Sequence, residues 1–215
     1  IPLGVAIFEN EDAMIPVFLA PMVLAWGAAL VFLLRARGKP KVVGIQDAFG
    51  VVGILWVAIC VFGAIPLYFC GGFPSVIDAL FESVSGFTTT GASIVPNVEI
   101  FDKGILFWRS FTHWIGGMGV LVFVMAIIPN ITDRSIHIMR AEMPGPKVDK
   151  IVSTVKKTSA IMYAIYTVMT LVQFVLLLFG GMDVYESLCV SFATAGTGGF
   201  SIWPDNMISY GGVVN

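Results

Sequence analysis

Four stretches of this chain contain no Asp, Glu, Lys or Arg and are long enough to cross a bilayer. They are Ala13 to Leu34, Ala48 to Ile77, Ser110 to Thr132 (interrupted only by His113) and Thr158 to Met182. A spanning helix needs about 20 apolar residues, and in hydrocarbon its backbone groups must be satisfied within the segment. With 57% hydrophobic and 12% charged residues and a mean hydropathy of +0.91, the chain carries half the charge of a soluble domain, where about a quarter of residues are charged. It is expected to be one all-α integral membrane unit. The second stretch exceeds one span, and "GAIPLYFCGGFPS" predicts that its helix ends near Cys70 or Gly71. The chain begins with Ile, and "IPLGVAIFENED" lacks the basic region of a signal peptide, which predicts a piece of a longer protein.

Basic residues set the expected orientation. Of twelve Lys and Arg, four lie in "RARGKPK" (Arg35 to Lys41) and six between Arg134 and Lys157. The positive-inside rule puts both loops in the cytoplasm. Ten of the fourteen acids lie in the other connections, and the four spans then alternate in direction. Segments 72–104 and 183–204 are both placed on the outer side.

Each outer segment opens with a helix start. Ser75 is a candidate N-cap with Asp78 three residues on, and Asp183 precedes Glu186 at the same spacing. About twelve helical residues would follow, covering roughly 18 Å, half of a span. "DALFESVSGFTTTG" (78–91) and "DVYESLCVSFATAG" (183–196) align without gaps at an offset of 105. The predicted unit is a span, a re-entrant half-helix, an irregular strand and a span. Both loops enter from one face, so the repeats are parallel, unlike the inverted repeats of many transporters.

Non-helical backbone at membrane depth persists only where protein buries it or where it lines a polar path. An ordinary outer loop would be hydrophilic, yet Val84 to Pro96 and Ser187 to Pro204 contain no charge. Thr88 to Gly91 and Ala193 to Gly196 therefore read as pore lining, with Gly91 and Gly196 free to adopt positive φ. Carbonyl rings replace the water shell of a monovalent cation, and half-helices ending inward present their negative ends to it.

"FESVSGFTTTGAS", "FWRSFTHWIGGMGVLVFVMAIIP" and "SFATAGTGGFS", in this order, resemble the membrane subunit of the Trk/Ktr/HKT potassium-uptake superfamily, closest to the bacterial TrkH type. "RAEMPGPKVDKI" resembles that family's cytoplasmic connector. The resemblance implies tandem helix–pore-loop–helix repeats, of which this chain holds about two of four. It implies a homodimer in the bacterial inner membrane, a cytoplasmic ring of nucleotide-binding regulatory subunits, and potassium as the transported ion. It also implies ion contacts on the backbone carbonyls of Thr89, Thr90, Thr194 and Ala195, supported by Thr88, Gly91, Ala193 and Gly196. The second filter departs from the first, with Ala193, Ala195 and Thr197 in place of Thr88, Thr90 and Ala92. No cofactor and no nucleic-acid partner is expected, and no P-loop or G-x-G-x-x-G occurs.

The expected divisions are 1–44 (N-terminal span and basic loop), 45–132 (first repeat), 133–157 (cytoplasmic connector) and 158–215 (incomplete second repeat). Arg109 at membrane depth needs a partner. Glu82 on the first half-helix is the candidate, and the pair would buttress the filter; the alternative is an Arg snorkelling to the headgroups. "GGMG" (116–119) is either a hinge or a close contact beside the filter, or a small-residue packing stripe. Cys60, Cys70 and Cys189 are expected to be buried hydrophobes without metal spacing. "WPDN" (203–206) reads as a turn that ends the second loop. A rival class is an intramembrane hydrolase using Ser83 or Ser85 with His113, but "SVSGF" is not the nucleophile-elbow pattern.

Overall fold

The computed structural model describes residues 2–35, 45–119, 148–205 and 208. The described residues are helical, without a strand. The elements are α1 (Pro2–Phe8), α2 (Met14–Arg35), α3 (Ile45–Phe69), α4 (Val76–Phe87), a 3-10 turn (Val98–Ile100), α5 (103–119), α6 (Val148–Phe179) and α7 (Val184–Ala195). Among the described residues three helices are long and apolar enough to cross a membrane: α2, the Gly50–Phe69 part of α3 and the Ala160–Phe179 part of α6, with mean hydropathies of 2.4, 2.4 and 2.1.

Helix α3 stops at Phe69 and turns through Gly71 at φ +78, so Ile77 already belongs to the next helix. Of the expected third span, residues 110–119 are helical, and 120–132 lie outside the described residues. Helix α6 starts at Val148, ten residues before the expected Thr158, so part of the expected connector 133–157 is helical; 133–147 lie outside the described residues. At 32 residues α6 is about 48 Å long, which exceeds a hydrocarbon core of about 30 Å.

Helix α1 was not anticipated from the sequence. It is held at the start of α5, where the Glu11 carboxylate accepts from the Lys103 and Gly104 N–H groups at 2.7 and 3.0 Å. Those are two of the orphan donors of a helix N-terminus, so an acid from a different element caps α5. Lys103 Nζ pairs with Glu9 at 2.8 Å, and Tyr185 of α7 donates to the Lys103 carbonyl at 2.7 Å. The buried core gathers around this half of α5, with Ile105 and Phe107 fully enclosed and joined by Ala6, Leu67, Phe73 and Cys189. Cys60 and Cys189 are buried, Cys70 is half-buried, and all three are free thiols.

Candidate functional site

Helices α4 and α7 are built alike. Each has twelve residues, and their N-caps, Ser75 and Asp183, stand 108 residues apart, each accepting a first-turn N–H. Both end in the same motif. Thr89 donates to the Gly86 carbonyl at 3.1 Å and Thr90 to Ser85 at 2.9 Å. In the second copy Thr197 donates to Thr194 at 2.8 Å and Gly198 to Ala193 at 3.0 Å. These are paired Schellman closures, whose αL residue is ordinarily glycine. Here it is threonine both times, at φ +56 for Thr89 and φ +59 for Thr197. A β-branched residue in the left-handed region is strained by roughly 1–2 kcal/mol, and such strain concentrates at functional sites. Two residues on, Gly91 and Gly199 take φ +73 and +79.

This geometry corrects the register of the second loop from 105 to 108. Ala193, Thr194 and Ala195 are helical, and Gly196 caps α7 at φ −74, ψ −5, so none of them forms the irregular strand expected there. Thr197, Gly198 and Gly199 occupy the places of Thr89, Thr90 and Gly91. Ala193 instead supplies the carbonyl that accepts from both Gly198 and Gly199, as Ser85 does in the first loop. The shared pattern is T-x-G-x-S-I-x-P, at 89–96 and 197–204. The slip arose because Asp78 sits inside the first turn of α4 whereas Asp183 is the cap itself; an acid stabilises a helix start at either place.

The two loops touch through backbone. A Cβ on Gly91 would overlap the carbonyl oxygen of Gly198. Helix α5 packs behind both, and its glycines make this possible. A Cβ on Gly116 would strike the Phe87 carbonyl, and one on Gly117 would lie 3.2 Å from the Gly196 Cα. Both the close-contact and the packing readings of "GGMG" are met: Gly116 closes on the first loop, while Gly117 also meets Tyr166 of α6 and Gly119 meets Trp56 of α3.

Arg109 and Glu82 meet within this packing, 2% and 1% exposed. Arg109 Nε and Nη2 donate to Glu82 Oε1 at 2.9 and 2.7 Å. The pair extends into both loops at equivalent residues: Nη2 reaches the Ser93 hydroxyl at 3.2 Å, and Nη1 the Ser201 carbonyl at 3.4 Å. Glu82 also accepts from Ser93 Oγ at 2.9 Å and the Ile94 N–H at 3.3 Å. The buried guanidinium is thus paired and does not snorkel. Ser93 and Ser201 each close the same local turn, accepting from Val95 and Trp203 N–H at 3.2 and 3.0 Å. Sequence reasoning missed this bridge to Ser201, although the repeated Ser-Ile step marked both ends of it.

The hydrolase constellation is not assembled. Ser83 Oγ donates to the Cys60 carbonyl at 2.7 Å, while Ser85 Oγ and both His113 ring nitrogens have no hydrogen-bond partner among the described residues. The described residues hold no cluster of His, Cys, Asp and Glu that could bind a metal ion.

The TrkH family of cation transport proteins matches residues 18–214. The Trk system potassium uptake protein TrkH of Halomonas elongata is 32% identical over 192 residues, covering 88% of this chain and 40% of that protein. Its namesake from Escherichia coli K12 is 37% identical over 159 residues, covering 73% and 33%. The crystal structure of the potassium transporter TrkH from Vibrio parahaemolyticus matches with a TM-score of 0.73 and 30% identity, over 94% of this chain and 40% of that one. The chain thus spans about two fifths, or less, of the length of these relatives. A family match over most of the chain, on top of membrane-length helices and a shared fold, settles its membership: the chain belongs to the TrkH family of cation transport proteins.

Proposed function

We propose that this chain forms two quarters of a potassium-uptake pore, with Thr88–Gly91 and Gly196–Gly199 as successive re-entrant filter segments. The observation that carries this is the duplicated helix closure, with strained Thr89 and Thr197 at the C-terminal ends of α4 and α7. Two helix ends with partial negative charge converge on one place, where the loops are in backbone contact. Ser83 of α4 bonds Cys60, nine residues before the end of α3. That depth is about 14 Å along the helix axis, consistent with α4 dipping back into the membrane. The equivalent order α3–α4–loop and α6–α7–loop supports tandem parallel repeats, the second opening with α6 at Val148.

In this reading a cation sheds water onto the carbonyls of Thr89 and Thr90 and, by the corrected register, of Thr197 and Gly198. Backbone carbonyls suit a large, weakly hydrated monovalent ion. Glu82 and Arg109 act from behind, tying Ser93 and Ser201 so that the two strands keep their spacing. Two quarters do not enclose an ion, so the activity belongs to the full-length protein. A homodimer in the bacterial inner membrane and a cytoplasmic nucleotide-binding partner are carried over from the family resemblance and rest on it alone. The test is growth: the full-length protein should let a bacterium lacking potassium uptake grow at low potassium, and absence of growth with protein present in the membrane would refute the function.

A further inference from the structure

The imidazole of His113 is fully buried, and neither Nδ1 nor Nε2 has a hydrogen-bond partner among the described residues. An unpartnered buried polar group costs about 1–3 kcal/mol, so the ring must serve another purpose there. Its faces supply one. The ring stacks on Phe200 with centroids 4.1 Å apart and planes at 28°. It also closes on Gly198, where a Cβ would overlap the imidazole. One turn earlier on α5, the guanidinium carbon of Arg109 lies 4.4 Å from the centroid of the same Phe200 ring. Phe200 also reaches across to Gly86 of α4, coming within 3.5 Å of where a Cβ would stand.

Phe200 directly follows Gly198 and Gly199, the most permissive pair of residues in either loop. The first loop has Thr90 in the place of Gly198 and Ala92 in the place of Phe200. Its β-branched residue stiffens the strand locally, and its methyl offers nothing to stack on. The second loop therefore needs stiffness from outside, and the ring and cation on α5 are placed to provide it. The charged neighbour that shares Phe200 with the imidazole is Arg109 on its own helix, already bound to Glu82 of α4. The second loop brings only uncharged residues, Gly196, Gly198 and Phe200.

We propose that His113 is a positioning residue that acts through its ring and not its nitrogens, clamping Phe200 together with Arg109 so that the Gly198–Gly199 backbone holds its cation-passing shape. This rests on the pore reading above. The test uses the full-length protein in a potassium-uptake-deficient bacterium, measuring potassium uptake against concentration and protein abundance in the membrane. His113→Phe keeps the ring, and its half-saturating potassium concentration should stay within about twofold of wild type. His113→Gln keeps hydrogen bonding without the ring, and should raise that concentration by about fivefold to tenfold, within the roughly twofold to twelvefold that one aromatic contact is worth. Phe200→Leu should raise it equally, and the double variant no further. Should His113→Gln fail to reach the membrane, Phe200→Tyr (retaining) against Phe200→Leu (losing) carries the comparison. An active Gln variant beside an impaired Phe variant would overturn the proposal, as would unchanged uptake in all of them. Wild type without uptake would bring down the pore reading and the clamp together; wild-type uptake with the wrong variant order sinks only the clamp.

Discussion

The Cα of Gly91 lies so close to the carbonyl oxygen of Gly198 that no side chain fits between them. The contact joins residues over 100 positions apart in sequence (91 and 198), one from each of two equivalent loops. Gly91→Ala would add both this overlap and a left-handed backbone penalty at φ +73. Gly71 is a built-in control, since its φ is +78 but open space surrounds it. Gly71→Ala should cost about 1 kcal/mol of stability and leave uptake intact, whereas Gly91→Ala should abolish uptake. Rubidium uptake and thermal unfolding of the two variants check this.

Breaking the Arg109–Glu82 pair on one side strands a buried charge, which costs about 3–5 kcal/mol. Glu82→Gln and Arg109→Gln should each lower stability by that order and lose uptake. Exchanging the two residues restores opposite charges but points a carboxylate at the Ser201 carbonyl, which now accepts from Arg109. The swapped protein should therefore recover abundance more than transport. Equal recovery of both would show that the link to the second loop carries no function. Arg109→Lys should also fail, because one ammonium cannot reach Glu82, Ser93 and Ser201 in this fork.

Threonine at the left-handed closure of both loops stores strain. Thr89→Gly and Thr197→Gly relieve it and should stabilise the protein by about 1 kcal/mol each. The same variants should discriminate potassium from sodium less well, because glycine lets the carbonyls wander. Competition of sodium with rubidium uptake, read beside thermal unfolding, tests both halves. Loss of stability with selectivity unchanged would mean the threonines are packing residues only.

Glu11 caps α5 across a large sequence gap. Glu11→Ala should cost about 1 kcal/mol, the usual value of a lost helix cap. Beside it, the hydrogen bond to Glu9 raises the Lys103 ammonium above its ordinary 10.5. The pair's contribution is then present in full below pH 10.5 and fades as pH climbs through the raised value. Glu9→Gln should remove most of that alkaline dependence, leaving the smaller pull of Asp183 and Glu11, measured as unfolding temperature between neutral and strongly alkaline pH.

Three of the spans and the starts of the two short helices were legible because their physics is local. Uncharged runs report a membrane, and Ser75 and Asp183 report orphan amides waiting for an oxygen. Glu82 could be named as the partner of Arg109 because a buried guanidinium demands a carboxylate and few were within reach. The second loop's register was misread although the two caps, 75 and 183, already stood 108 apart. A slip of three residues is nearly one helical turn, so apolar positions still fall on one face and similarity survives the error. The backbone beyond α7 decides between the alternatives, through the φ values of Thr197 and Gly199, and the repeated T-x-G-x-S-I-x-P pattern agrees with it. Helix α1 and its seat on α5 were not legible at all, because Glu11 finds its amides 92 and 93 residues away.

In the proposed pore, cations meet the carbonyls of Thr89, Thr90, Thr197 and Gly198. Rubidium or thallium diffused into crystals of the full-length protein would show this directly by anomalous scattering. A heavy-ion peak in direct contact with those four residues is expected. A peak held by Thr194 and Ala195, or none at the meeting of the two loops, would contradict it.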